Sequence, residues 1–176
     1  MSESTTKQRV VLLPIDGSEH AERAFHWYLN NMKSSNDIVK FVNIVEPVYN
    51  TPAVGLTMET PPLTDITKIM QDSIDKGKLL GKKYISEAKK YDINCQAFLH
   101  VDNRPGAAIL KSIEDHNANL IIMGSRGLGV LRRTFLGSVS DYVLHHAHIP
   151  VLEVGCSLPQ KAIADGIRPM DVEYLA

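Results

Sequence analysis

The sequence predicts an α/β fold: a parallel sheet of five strands with helices packed on both faces, giving three layers. Three observations carry this reading. Short apolar, β-branched runs alternate with stretches of helical periodicity across residues 9–154. Strands that follow one another through helices pair in parallel, because parallel neighbours need crossover connections. Turn-forming and glycine-rich segments follow the first and fourth strands, at the sheet edge where ligands of such folds bind. The chain has 176 residues, 44% hydrophobic and 22% charged, enough for one domain with a full core.

The first strand is RVVLLPI, 9–15, an apolar run closed by Asp16-Gly17-Ser18. A helix over 19–32 follows, with Ala21, Ala24, Phe25, Tyr28, Leu29 and Met32 at helical spacing. Ser18 is placed to cap it, with Glu19 and Glu22 in the first turn. DIVKFVNIV, 37–45, is the second strand. Residues 46–63 hold four of the nine prolines and no clear periodicity, so they read as a long loop, a flap near the site or a dimer surface.

A long helix runs from about Asp65 to Lys90. Its stripe comprises Ile66, Ile69, Met70, Ile74, Leu80, Tyr84, Ala88 and Tyr91. INCQAFLHV, 93–101, is the third strand, and Pro105 suits the first turn of the helix after it. Residues 119–123 form a fourth, nearly all-apolar strand. The glycine segment comes next, then a helix from Ser138 to about His146, for which Ser138 and Asp141 match the S-x-x-D capping pattern. Pro150 opens a last strand, 151–154, which would be an edge, and residues 155–176 read as a tail.

The segment that carries chemistry is 124–140. Gly124, Gly127 and Gly137 let backbone amides come close to an anion, and a helix beginning at Ser138 adds unpaired N–H groups and a positive dipole end. Together these suit phosphate. Arg126, Arg132 and Arg133 lie in 124–137 with no acidic residue among them. If the first and fourth strands are neighbours, the Asp16 loop and the glycine loop share one crevice.

Residues 124–138 resemble the G-x2-G-x9-G-[ST] signature of the universal stress protein family. LLPIDGSEHAERAF resembles that family's opening and SVSDYVLHHAHIPVLEV its close, so the resemblance spans about 9–154. It implies a Rossmann-like domain with strand order 3-2-1-4-5, often a homodimer, binding ATP or a related adenine nucleotide. Carried over residue by residue, it implies that Gly124, Gly127 and Gly137 bring amides to ribose and phosphates. Ser138 and Ser140 would offer hydroxyls, and Val139 an amide. Asp16 would meet ribose hydroxyls or a bound Mg²⁺, Pro14 and Ile15 would wall the base, Val42 would contact adenine through its backbone, and Met123 would pack nearby. Arg126 is a further candidate for phosphate.

Other classes are disfavoured. There is no G-x4-G-K-[ST] and no G-x-G-x-x-G; the first strand–helix turn lacks a HIGH-like histidine pair, and the S-G-G-x-D-S loop is missing. A net charge of −1 gives no basic field for nucleic acid or anionic membrane. No signal-like or membrane-spanning run is visible, so cytoplasm is expected. Cys95 and Cys156 are expected to be reduced thiols. His145, His146 and His148 lack a cysteine or carboxylate completing a ligand set. The expected function is a nucleotide-binding module whose dimer, through strand 151–154, or whose protein-partner surface responds to ligand. The alternative is slow ATP hydrolysis or phosphoryl transfer at the same site, for which no water-activating base can be named.

Overall fold

The structure, a computed structural model, describes residues 8–47, 63–125 and 137–155. Five strands alternate with four helices: β1 (Arg9–Pro14), α1 (Glu19–Asn31), β2 (Asp37–Val45), α2 (Leu63–Lys89), β3 (Asn94–Val101), α3 (Pro105–Asp115), β4 (Leu120–Gly124), α4 (Ser138–His146) and β5 (Val151–Val154). The sheet is wholly parallel with order β3-β2-β1-β4-β5, as the resemblance implied. β1 therefore lies between β2 and β4, and the direction of winding reverses there.

Alternation along the strands divides the core into two layers. Val11, Leu13, Val39, Phe41 and Ile122 pack against α1 and α2 through Phe25, Tyr28 and Tyr84. Leu12, Val42, Ile121 and Met123 pack against α3 and α4 through Ile109, Ile113 and Val143. Phe25, Phe41 and Tyr84 meet in tilted and edge-to-face pairs with centroids 5.2–5.7 Å apart, the preferred geometry of aromatic clusters.

Two local expectations change. α2 begins at Leu63 rather than near Asp65, an ordinary shift at a helix end. More informative, Ile69 and Tyr91 of its expected stripe are exposed, while Gly77, Gly81, Tyr84 and Ala88 are buried. The helix approaches β2 and β3 through its glycines. A Cβ at Gly77 would fall 2.5 Å from the Leu99 side chain and 2.6 Å from that of Asn43, so any larger residue would have to displace them.

At the amino edge of the sheet a buried polar group ties α1 to β1 and β2. Asp37 accepts two hydrogen bonds from Arg9 (2.8 Å each), one from the Tyr28 hydroxyl (2.8 Å) and one from the Ser34 amide (2.9 Å). Burial alone would raise the Asp37 carboxyl. The Arg9, Tyr28 and Ser34 bonds outweigh it and hold the group below its ordinary value. Among the described residues no helix is long and apolar enough to cross a membrane.

Candidate functional site

A cavity of about 310 Å³ opens at the carboxyl end of the sheet, over the β1–β4 reversal. That size falls in the range of small-ligand sites. Pro14, Ile15, Asp16 and Val42 line one side; Met123, Gly124, Gly137, Ser138, Val139 and Ser140 line the other. Ten sequence-selected residues, drawn from four separate stretches of chain, thus surround one space. Arg126 and Gly127 lie outside the described residues, as do Arg132, Arg133, Cys156, most of the 46–63 loop and the tail beyond Gly155.

The α4 wall differs from expectation at its cap. Gly137, not Ser138, is the N-cap; Ser138 is the first helical residue, and no side chain caps the helix. The S-x-x-D pattern therefore does not operate as a cap here: its serine sits one position too late. The first bond within the helix runs from the Asp141 amide to the Gly137 carbonyl at 2.9 Å. The amides of Ser138, Val139 and Ser140 consequently have no hydrogen-bond partner among the described residues. Their residues line the cavity. At Gly137 a Cβ would meet nothing within 4 Å, so the space before the helix is open.

The two serines differ. Ser138 is exposed, so its hydroxyl is available at the cavity mouth. Ser140 is buried and directs its hydroxyl to Glu153 of β5. Burial pushes the Glu153 carboxyl up; the Ser140 bond opposes this and Asp141 reinforces it. One Glu153 oxygen, Oε1, is buried without a partner among the described residues. Ser140 is thus available to a ligand first through its amide.

Gly124 has a structural reason of its own. A Cβ there would lie 2.0 Å from the His20 carbonyl oxygen and 2.3 Å from its carbon. The end of β4 presses directly against the first turn of α1. Gly17, at φ +77°, makes the turn that brings α1 there. The Ser18 hydroxyl accepts from the Ala21 amide at 3.3 Å as the N-cap of α1, as expected. Asp16 Oδ1 accepts from the Ser18 amide (3.0 Å) and hydroxyl (2.6 Å). This closes an Asx turn and holds the exposed carboxylate at the cavity.

Val42 is 1% exposed, and its carbonyl already accepts the Ile15 amide at 2.8 Å. Its backbone is part of the β1–β2 ladder. Backbone groups along a strand turn alternately to its two neighbours, so those of Ile44 point the same way as those of Val42. Pairing with β1 ends at Pro14–Val42, and Ile44 lines the cavity. Ile44 therefore presents ladder-type amide and carbonyl groups past the end of β1, a role the strand's two-residue period could have indicated. Ser18, His20, Ala21, Glu46, Pro105 and Ile109 also line the space without having been assigned to the site from sequence.

Other sequence candidates lie apart from the cavity. His145 and His146 use Nδ1 toward the Asp141 and Tyr142 carbonyls at 2.8 and 2.7 Å. No group of three or more possible metal ligands occurs among the described residues. Burial pushes the Cys95 thiol up, which makes it a poorer nucleophile.

Residues 8–155 match the universal stress protein family. The chain belongs to that family. A universal stress protein encoded beside a sulfhydrylase gene in Thermus aquaticus is 29% identical over 147 residues, covering 83% of this chain and 98% of the relative. Among solved structures, an Arabidopsis thaliana universal stress protein family member with AMP bound superposes with a TM-score of 0.62 at 20% identity, over 93% of this chain and 97% of that one. A universal stress protein in complex with cAMP gives 0.61 at 19% identity, over 85% and 98%. At these identities the structural likeness speaks for the universal stress protein fold.

Proposed function

We propose that this universal stress protein holds an adenine nucleotide in the β1–β4 cavity, with its phosphates on the N-terminus of α4. The observation that carries the reading is the set of three uncapped amides, Ser138 to Ser140, in the wall of an open cavity. Such a helix end favours anions through both its donors and its dipole. The base fits the other end, between Ile15 and Met123, with the Ile44 backbone groups as its polar partners. Asp16 offers its remaining carboxylate oxygen to ribose. The AMP and cAMP held by the two similar structures support the ligand class.

Mg²⁺ fits only as an ion brought by phosphates. Asp16 and Glu46 are the carboxylates at the cavity, and magnesium is commonly held by one or two carboxylates plus phosphate oxygens. When bound there it would neutralise phosphate charge. The task proposed for the protein is holding the nucleotide. His20 is a histidine of the lining, and its Nδ1 is taken by Arg23 at 2.7 Å.

The responding surface belongs to β5, the sheet-edge strand 151–154, through which two copies pair as a homodimer. A protein partner reading the ligand state, and a cytoplasmic setting, complete the proposal. Native mass spectrometry of gently purified protein tests ligand and assembly together. Dimer mass with added adenine nucleotide is expected; an apo species that takes up no ATP or AMP at millimolar concentration would overturn the reading. In Leu152→Lys, monomeric sedimentation with intact circular dichroism is expected, and an unchanged dimer would reject edge pairing.

A further inference from the structure

His20 stands in the first turn of α1, where its carbonyl abuts Gly124, and it is one of the residues lining the cavity. Arg23, one turn later, directs Nη2 to His20 Nδ1 at 2.7 Å and to the Ser125 carbonyl at 3.0 Å. Guanidinium nitrogens only donate, so Nδ1 must accept. The ring is therefore the neutral tautomer with its proton on Nε2. Nε2 has no partner among the described residues. Arg23 thus fixes two things together: the polarity of the His20 ring and the position of the chain as it leaves β4.

We propose that His20 is a phosphate-contacting residue of this site, its Nε2–H kept as a donor by Arg23. This deepens the nucleotide reading and rests on it. The placement decides which part of the ligand is met. His20 adjoins Gly124 at the β4 end of the cavity, whose lining also includes Ser138, Val139 and Ser140, whereas Ile44 continues β2 beyond the last β1 pair. A fixed N–H in a cavity whose wall also holds three free amides suits a phosphate oxygen. Because the ring is neutral, it adds a directed donor without adding charge. Its contribution is therefore to tell a nucleotide from a nucleoside.

The test is titration calorimetry of adenosine, AMP and ATP into wild type, His20→Leu and His20→Gln. Gln keeps an N–H donor near the position of Nε2, and Leu does not. Leu is expected to weaken AMP and ATP about tenfold while leaving adenosine unchanged, and Gln to recover most of the loss. Equal loss for adenosine and nucleotides would mean a structural role and would overturn the proposal; so would unchanged nucleotide affinity in both variants. A wild type that binds none of the three ligands would instead defeat the nucleotide reading, and this proposal with it. Imidazole ¹⁵N spectra of the ligand-free protein, with His20 assigned by its loss in His20→Gln, give an independent readout. The Nε2–H tautomer is expected in wild type and a tautomer mixture in Arg23→Met. An Nδ1–H ring in wild type would contradict the proposal.

Discussion

Replacing Gly124 by alanine should unfold the protein more readily, and the geometry sets the scale. The added Cβ would sit 2.0 Å from the His20 carbonyl oxygen, 2.3 Å from its carbon and 3.0 Å from the Ala21 amide nitrogen. Carbon atoms ordinarily approach no nearer than about 3.5 Å. Relief therefore needs more than about 1 Å of separation between β4 and α1. Both obstacles are backbone, so no rotamer change can absorb it. Overpacking typically costs 1–3 kcal/mol, and a backbone clash belongs at the upper end, about 3 kcal/mol. For a chain of this size that corresponds to a fall in melting temperature of about 6–12 °C. The assay is thermal and urea denaturation of the ligand-free protein followed by circular dichroism. Gly137→Ala is the control: its Cβ meets nothing within 4 Å and its φ of −59° suits alanine, so it should cost less than about 1 kcal/mol. A Gly124→Ala protein melting within about 2 °C of wild type would refute this packing argument.

Two further outcomes concern buried acids. Asp37→Asn should destabilise by about 2–3 kcal/mol at pH 7, below the usual range for a broken buried pair because the Arg9 side chain is 34% exposed. Since the Asp37 value is lowered in the fold, its contribution is present above the unfolded value of about 3.9 and is lost as pH falls through the folded value. The difference between wild type and Asp37→Asn in urea midpoint should therefore shrink from pH 7 toward strongly acid pH. Glu153 behaves oppositely, because burial raises its folded value. Ionisation then costs stability, so wild type should lose ground to Glu153→Gln as pH rises from 4 to 7, measured as the difference in melting temperature. A Glu153→Gln difference that does not change with pH would argue against a desolvated carboxyl.

Much of this fold is written locally. β1 and β4 are nearly continuous apolar runs because both faces of the central sheet are covered, and α1 carries its own serine cap. The strand order came from the family resemblance, not from periodicity, which says which segments are strands but not which are neighbours. Some features escape a local reading because contacts between distant residues leave no local trace. α2 buries Gly77 and Gly81 alongside Tyr84 and Ala88, because Asn43, Leu99 and Ala97 come close from β2 and β3. The Arg9–Asp37–Tyr28 group spans 28 residues and shows no motif. The glycine spacing concealed two structural uses: Gly124 admits α1, and Gly137 leaves α4 uncapped. Ile44 was within reach, since it repeats the position of Val42 two residues later.

In the proposed complex, ligand phosphate takes the place of a cap on α4. Gly137→Asp separates binding from stability in opposite directions. An aspartate at the N-cap can accept from the free amides and complement the dipole, so it should stabilise the ligand-free protein by a few tenths to about 1 kcal/mol. The same carboxylate would occupy the donors and repel phosphate. Calorimetric titration of ATP and AMP into both proteins is the direct measurement. Binding in the wild type, at roughly 8 kcal/mol if micromolar, is expected, with its abolition in a Gly137→Asp protein that melts no lower than wild type. Equal nucleotide affinity in the two proteins would contradict the claim.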